Sequence, residues 1–239
     1  MPQDEFDISV VIPAKNEEFR LPRFLQSLMA YCQKSRYRYE LIVVDDGSSD
    51  KTSEVVLNLK KSFPSLVLIR FEHNLGKGAA VKHGLLSARG RIALFMDADG
   101  STPAEEIEKN LKFFSEGYDI VIGSRALPNN ACLIKALPYR KFMGLFFKFM
   151  VRTFLIKDIK DTQCGFKMFR REIVRPLWEN IRLAGFGFDL EVLFVAQRMN
   201  YRIKETAVNW THMDHSKIHL LGDSLTMLIN IFQIKKWYR

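Results

Sequence analysis

This chain of 239 residues lacks a membrane-spanning apolar run and paired cysteines. Its longest uncharged, apolar-rich stretch near the C-terminus, 224–234, is far shorter than the ~20 residues that span a bilayer. The first residues are polar and acidic, so we expect no signal peptide, N-terminal anchor or transmembrane helix. The cysteines, Cys32, Cys132 and Cys164, form no CxxC pair, which fits a reducing compartment and argues against a thiolate metal site.

Acidic residues are too few to balance the basic ones, and the formal net charge is +9. This excess predicts an anionic partner: a nucleic acid, an anionic membrane surface or a phosphorylated substrate. The phosphate-binding motifs GxxxxGK[ST] and GxGxxG are also missing, which disfavours a P-loop NTPase and NAD binding. The stretch 74–78 (NLGKG) resembles a phosphate-cradling turn in composition, although its glycines could simply turn the chain into a helix. A mononucleotide-linked substrate is therefore the better prediction.

Short apolar runs in the first half of the chain each end in polar residues. They are 8–12 before PAKNE, 41–44 before DDGSSD, 92–96 before DADG, and 119–122 before GSR. Such runs are typical of parallel strands buried on both faces, whose carboxyl ends form the ligand-binding edge of an open α/β sheet. A strand at 66–71 and helical patterns complete a β-α-β-α-β-α-β-α-β order; the helices are predicted at 19–34, 51–63, 78–88 and 103–114. The order predicts a Rossmann-like, doubly wound, mostly parallel sheet.

Two helix starts carry capping signals. Asp50, followed by Glu54, predicts an N-cap with a capping box, and Thr102 before Pro103 predicts a second cap.

The DADG stretch places Asp97 and Asp99 directly after an apolar run. Alternate carboxylates at the edge of a sheet suit a hard divalent cation, Mg²⁺ or Mn²⁺, that phosphate oxygens also hold. At the neighbouring strand end, Asp45-Asp46 either accepts hydrogen bonds from a base or ribose or forms a plain acidic turn.

The second half of the chain is rich in aromatic and basic residues. The segment 137–155 predicts a helix with a broad apolar arc and with Arg140, Lys148 and Arg152 on its other side. A second apolar helix is predicted at 220–234, before KKWYR. Both patterns fit amphipathic helices at a membrane interface, and both also fit ordinary core helices. The histidines of this half are predicted to be polar loop residues or, alternatively, metal ligands; they are His212, His215 and His219.

Six motifs occur in the order found in family 2 glycosyltransferases, which have the GT-A fold, and the chain resembles this family. They are VIPAKNEE (11–18), VVDDGS (43–48), NLGKG (74–78), DADG (97–100), GSR (123–125) and DTQCGFK (161–167). DTQCGFK and VNWT (208–211) further resemble the glucosyl branch of the polyprenyl-phosphate sugar synthases.

The resemblance implies a function, a location and a domain organisation. The implied reaction is inverting transfer of glucose from UDP-glucose to a polyprenyl (dolichyl or undecaprenyl) monophosphate. It implies a peripheral enzyme at the cytoplasmic face of a membrane, binding an anionic membrane surface and no nucleic acid. GDP-mannose or another UDP-sugar is the alternative donor, and a basic nucleic-acid-binding module is the alternative from a different class. One GT-A domain, 1–239, would have a nucleotide-binding half of about 1–125 and an acceptor and membrane-interface half of about 126–239.

The resemblance also implies roles for individual residues. The implied nucleotide-binding residues are Pro13, Lys15, Glu17, Val44, Asp46, Lys77, Asp97 and Ala98. The implied catalytic residues are Asp97, Asp99, Arg125 and Asp189, and the acceptor phosphate would be held by Arg140, Ser216 and Lys217. Asp97 and Asp99 would hold the metal ion against the diphosphate, and Arg125 and Lys217 would face either the diphosphate or the acceptor phosphate. Since an acceptor phosphate is already anionic, Asp189 and Glu191 are expected to orient groups or cap a helix rather than act as a base. His215 departs from the branch, where glycine is common.

Overall fold

A computed structural model gives the structure of the chain and describes residues 5–128, 132–133, 149–211 and 220–238. The strands are β1 (Ile8–Ala14), β2 (Tyr39–Asp45), β3 (Leu66–Arg70), β4 (Ile92–Met96), β5 (Ile120–Ser124), β6 (Cys132–Leu133), β7 (Phe166–Arg170), β8 (Ile203–Ala207) and β9 (Trp210–Thr211). The helices are α1 (Leu21–Lys34), α2 (Thr52–Lys60), α3 (Lys77–Ser87), α4 (Glu105–Ser115), α5 (149–154), α6 (Arg171–Trp178), α7 (Phe188–Arg198) and α8 (Leu220–Trp237).

A seven-stranded sheet in the order β3-β2-β1-β4-β7-β5-β8 forms the centre of the protein. Its neighbouring strands are parallel except at β7, which runs antiparallel to both β4 and β5. This confirms the predicted mostly parallel sheet and the alternating order of β1 to β5. Since β7 and β8 come from the second half of the chain, the two predicted halves share one sheet.

Helices cover both faces of the sheet, because successive side chains of each buried strand point to opposite faces. In β1, Val11 packs in one apolar cluster with α3, α5, α6, α7 and α8. Its neighbours Val10 and Ile12 pack in the other cluster, with α1, α2 and α4. The core is therefore split into two layers by the sheet, and the ends of the strands stay open.

The predicted helix caps are wrong in detail. The residue before α2 is Lys51, and it makes no side-chain capping bond. Asp50 lies one position earlier; its carboxylate accepts hydrogen bonds from the Thr52 amide (3.0 Å) and the Glu18 amide (3.1 Å), so it joins two loops. Likewise α4 begins at Glu105 without a side-chain cap, because the chain turns once more after Pro103 before the helix starts.

In the second half, the two predicted helices agree with the structure where it describes them, but α6 and α7 were not predicted. Residues 149–154 of the predicted helix 137–155 are helical, and the rest of that segment lies outside the described residues. The last helix reaches Trp237, three residues beyond its predicted end. Within the described ranges, none of the helices combines the length and apolarity needed to cross a bilayer.

Candidate active site

A cleft of about 460 Å³ lies at the carboxyl edge of the sheet. The residues that line it follow β1, β2 and β4, begin α3, or belong to the loop before α7; they are Pro13, Ala14, Lys15, Asn16, Glu17, Arg20, Asp46, Asn74, Gly76, Lys77, Ala80, Asp97, Ala98, Asp99, Gly185 and Phe186. Every residue predicted to bind the nucleotide is in this set except Val44. That side chain is fully buried beneath the cleft, in the apolar cluster that contains α3 residues.

Asp97 and Lys77 form an ion pair in the cleft, with Lys77 Nζ 2.6 Å from Asp97 Oδ1. Burial alone would lower the pKa of the Lys77 ammonium, but the charges of Asp97 and Asp189 raise the pKa overall. The Asp97 carboxylate also packs against Gly165, where any Cβ atom would collide with it. The glycine of DTQCGFK therefore makes room for the first aspartate of DADG.

Asp99 lies in the turn that leaves β4. Its Oδ1 accepts a hydrogen bond from the Ser101 amide at 2.9 Å. Gly100 has a φ of +71°, a left-handed conformation that glycine adopts without steric cost. The DADG stretch therefore forms a tight turn that keeps two carboxylates at the carboxyl edge of the sheet.

The two acidic residues at the end of β2, Asp45 and Asp46, have different surroundings: the first is structural and the second lines the cleft. Asp45 is fully buried and accepts hydrogen bonds from the Ser48 amide (2.8 Å) and the Ser53 hydroxyl. Asp46 lines the cleft and accepts hydrogen bonds from the amides of Leu75 (2.7 Å) and Gly76 (3.0 Å). The Asp46 carboxylate thus joins the end of β2 to the glycine-rich turn before α3.

Glu17 and Arg20 form a second charged pair in the cleft lining. The Arg20 guanidinium donates to both carboxylate oxygens of Glu17, at 2.7 and 2.5 Å. This hydrogen bonding raises the pKa of Arg20, and the nearby charges of Asp99 and Asp97 add to it. Sequence reasoning missed Arg20; its spacing of three residues from Glu17, at the start of a helix, was the available signal.

Arg125 lies outside the cleft lining. Its guanidinium makes a bidentate pair with Asp161, with Nε at 2.8 Å from Oδ2 and Nη2 at 3.0 Å from Oδ1. Burial would raise the pKa of Asp161, but hydrogen bonds and charge from Arg125 lower it. The guanidinium carbon also lies 5.5 Å from the centre of the Trp210 ring. Arg125 therefore holds the chain after β5 against the DTQCGFK segment.

Asp189 lies on the first turn of α7, fully covered, and pairs with the buried ammonium of Lys167. Lys167 Nζ also donates to the Cys164 carbonyl (2.8 Å) and lies 5.3 Å from the Phe95 ring centre. Burial raises the pKa of Asp189, and the cations Lys167 and Lys77 oppose that shift only in part. Asp189 lies beneath the cleft rather than in its lining, and α7 has no side-chain cap.

The residues predicted to hold the acceptor phosphate lie outside the described residues. They are Arg140, Ser216 and Lys217, and the same holds for Lys148, His212, His215 and His219. Among the described residues, no three His, Cys, Asp or Glu side chains are grouped closely enough to hold a metal ion alone. Within the described part of the chain, Asp97 and Asp99 would therefore provide only part of a metal ion's coordination sphere.

Solved structures of similar fold cover nearly the whole chain. One is glucosyl-3-phosphoglycerate synthase from Mycobacterium tuberculosis in complex with phosphoglyceric acid; its TM-score is 0.71 at 18% identity, over 97% of this chain and 81% of that one. The same enzyme in complex with Mn²⁺, UDP-glucose and phosphoglyceric acid gives a TM-score of 0.72 at 18% identity, over 97% of this chain and 80% of that one. At this identity the likeness shows the GT-A fold alone.

Sequence comparison gives closer relatives. Dolichyl-phosphate beta-glucosyltransferases from Dictyostelium discoideum, Drosophila melanogaster and Saccharomyces cerevisiae are 36%, 38% and 35% identical to this chain. The matches cover 99%, 98% and 98% of this chain and 76%, 75% and 76% of the relatives. The family model for glycosyl transferase family 2 matches residues 9–178. Because a family model matches, relatives align over nearly the whole of this chain and the fold is shared, the chain belongs to glycosyl transferase family 2 and is a glycosyltransferase.

Proposed function

We propose that this enzyme transfers glucose from UDP-glucose to a polyprenyl monophosphate such as dolichyl phosphate, with inversion at the anomeric carbon. The observation that carries the proposal is the cleft: residues that the resemblance assigns to a nucleotide line it together with Asp97 and Asp99. The names of the relatives support glucose as the sugar and dolichyl phosphate as the acceptor.

Asp97 and Asp99 would hold Mg²⁺ or Mn²⁺. The fit is supported by Lys77, whose ammonium lies 2.6 Å from Asp97 and shows that this carboxylate can face a cation in the cleft. A divalent ion bound there would neutralise charge on the leaving diphosphate as a Lewis acid. Lys77 and Arg20 line the same cleft. Their positively charged side chains would stabilise the negative charge of the donor phosphates.

The reaction is a direct displacement. An oxygen of the acceptor phosphate forms a bond to the anomeric carbon of glucose, and the bond from that carbon to the UDP oxygen breaks, with its electron pair leaving on UDP. A phosphate monoester is anionic at neutral pH, so no base must remove a proton first. The burial of Asp189 beside Lys167 supports a structural role for that carboxylate. Arg140, Ser216 and Lys217 are the residues proposed to hold the acceptor phosphate.

An anionic membrane surface, at the cytoplasmic face, is the proposed location. Three apolar side chains are exposed on neighbouring helices: Phe149 (64%) on α5, and Ile229 (50%) and Phe232 (53%) on α8. The rings of Phe154 and Phe232 lie 5.7 Å apart, and Lys235 Nζ lies 5.3 Å from the Phe154 ring centre. Exposed aromatics beside cations suit the headgroup region of a bilayer.

Turnover with labelled sugar nucleotides tests the function. Purified enzyme, a short-chain polyprenyl phosphate and Mn²⁺ are mixed with UDP-glucose, other UDP-sugars or GDP-mannose, and the lipid product is analysed for its sugar and anomeric configuration. We expect β-linked glucose from UDP-glucose. Preference for another donor would replace the proposed substrate, and an α-linked product would contradict inversion.

Loss of the second carboxylate tests the metal. Asp99→Asn should abolish transfer while the thermal unfolding temperature stays near that of the wild type, since charge stabilisation of this kind contributes several kcal/mol to catalysis. Asp158→Asn, a change at an exposed residue outside the cleft lining, is the control. Full activity of Asp99→Asn with excess EDTA would rule out the metal mechanism.

A further inference from the structure

Gly185 and Phe186 line the cleft and belong to the segment 182–187 between α6 and α7, which we call the wall. Within it, the Ala184 carbonyl accepts hydrogen bonds from the amides of Gly78 (2.6 Å) and Ala79 (3.3 Å). Both amides belong to the first turn of α3, whose first residue is Lys77. The wall therefore fixes the helix end that carries the cleft lysine.

Glycines allow the wall and α3 to approach closely. A Cβ atom at Gly76 would lie 2.5 Å from the Ala184 carbonyl oxygen, and one at Gly78 would lie 2.6 Å from the Leu183 carbonyl oxygen. Such distances leave no room for a side chain, so a shift of the wall is transmitted directly to the start of α3.

Glu191 forms hydrogen bonds with the backbone of this wall. Its carboxylate is fully buried and accepts hydrogen bonds from the amides of Leu183 (2.7 Å) and Arg182 (3.1 Å). The hydroxyl of Tyr238 lies 2.7 Å from Glu191 Oε1 and 2.5 Å from the Asn180 carbonyl oxygen. A buried carboxylate needs such donors, because an unpaired one is costly in an apolar interior.

The end of α8 packs on the same wall. The Arg182 guanidinium carbon lies 5.5 Å from the ring centres of both Trp237 and Tyr238. Earlier in α8, the Asn230 side chain fills the space over Gly187, where a Cβ atom would collide with it. Burial, together with the hydrogen bond to Glu191, raises the pKa of Tyr238, so its hydroxyl keeps its proton and stays a donor.

We propose that Tyr238 and Glu191 are positioning residues: through the wall 182–187, they let α8 fix the first turn of α3 and so the place of Lys77 in the donor cleft. The nature of the ligand in that cleft rests on the proposed function. The mechanical link itself rests only on the contacts among α8, Glu191, the wall and α3.

Hydrogen exchange measured by mass spectrometry tests the link without any ligand. Tyr238→Phe removes one hydroxyl, and Glu191→Gln keeps the shape of the side chain while converting an acceptor oxygen into a donor. We expect amides at 78–79 and 182–183 to exchange about fivefold faster in both variants, because one hydrogen bond is lost behind them. Tyr201→Phe is the matched control, since Tyr201 packs against the same core beyond the other end of α7. Unchanged exchange at 78–79 in both variants would overturn the proposal.

Calorimetric binding of UDP with Mn²⁺ measures the effect on the cleft. We expect Tyr238→Phe to weaken UDP binding about threefold to tenfold and to raise the KM for UDP-glucose more than it changes kcat, with wild-type values for Tyr201→Phe. Unchanged UDP affinity despite faster exchange would also overturn the positioning role. If UDP fails to bind the wild type, the proposed donor is wrong, and the exchange experiment still decides the link.

Discussion

At the scale of single residues, Lys77 pairs with Asp97, the carboxylate proposed to bind a metal ion, and would compete with that ion. Removing its ammonium should let free enzyme bind Mn²⁺ about tenfold more tightly, because a charge-assisted hydrogen bond no longer competes for the carboxylate. Lys77→Met, titrated with Mn²⁺ by electron paramagnetic resonance, checks this. Lys109→Met is the control, since Lys109 pairs with Glu106 at 3.0 Å elsewhere. Weaker or equal Mn²⁺ binding by Lys77→Met would contradict the competition.

Two thiols should be unreactive in the native protein. Burial raises the pKa of Cys32 and of Cys164 to about 12 each, so almost no thiolate exists at neutral pH. Iodoacetamide at pH 7.5, followed by peptide mapping, should modify neither residue until denaturant is added. Rapid alkylation of Cys164 in the folded enzyme would show that the DTQCGFK segment opens to solvent.

The pair of Arg125 and Asp161 should contribute to stability rather than to nucleotide binding. Asp161→Asn should lower the free energy of unfolding by about 3 kcal/mol at pH 7, since it leaves a partly buried guanidinium without its carboxylate. The Asp161 pKa is lowered below its usual 3.8, so this stability is present above pH 3.8 and is lost as the pH falls through the folded-state value. Urea unfolding of both proteins at pH 7 and pH 3 should show the difference shrinking in acid.

The sequence predicts a site residue best when that residue lies at the end of a strand. Residues directly after a strand, such as Asp46 and Asp97, reach the cleft because parallel strands share an edge. The place of Lys77 in the site could be predicted from the glycine-rich turn that contains it. Arg125 also follows a strand, yet its partner Asp161 is 36 residues away, and no local pattern shows that pairing. Phe186 was missed because the loop that contains it meets the cleft only through tertiary contacts.

At the scale of elements, the packing of α3 on β1 depends on Gly84. A Cβ atom there would collide with a methyl group of Val11 and lie 3.0 Å from one of Val44. Gly84→Ala should therefore cost up to about 3 kcal/mol in packing, offset by about 1 kcal/mol of helix propensity, and lower stability by about 2 kcal/mol. Gly185→Ala is the matched control because a Cβ atom there meets nothing within 4 Å. Equal urea midpoints for the two variants would contradict this packing argument.

Strand β7 shows where the sequence pattern failed at this scale. The strands β1 to β5 were predicted because continuous apolar runs mark strands buried on both faces. In β7 the fully buried residue between Phe166 and Met168 is Lys167, which breaks such a run. Its charge is balanced by Asp189, from a helix distant in sequence, which lies beside it. A local reading of the sequence could not supply that partner.

At the scale of the whole molecule, the net charge of +9 and the exposed aromatics of α5 and α8 should act together on a membrane. The enzyme should sediment with anionic vesicles at low salt and be released as salt rises. Phe232→Ala should lower vesicle binding by about tenfold to a hundredfold, since an inserted aromatic contributes roughly 1.5 to 3 kcal/mol. Leu57→Ala removes an equally exposed apolar side chain (53%) from α2 and should leave vesicle binding unchanged. Equal loss in both variants would contradict a specific surface.

The antiparallel strand β7 also affects the order in which the chain can fold as it leaves the ribosome. Since β7 lies between β4 and β5, a nascent chain that ends before Phe166 can assemble β3-β2-β1-β4 but leaves one side of β4 unpaired. An unpaired apolar strand edge is a template for aggregation. Strand β5 is synthesised more than forty residues before the partner that ties it to the sheet, so completing the sheet requires slow, long-range pairing. We therefore expect ribosome-bound chains stalled near residue 160 to depend on chaperones to avoid aggregation.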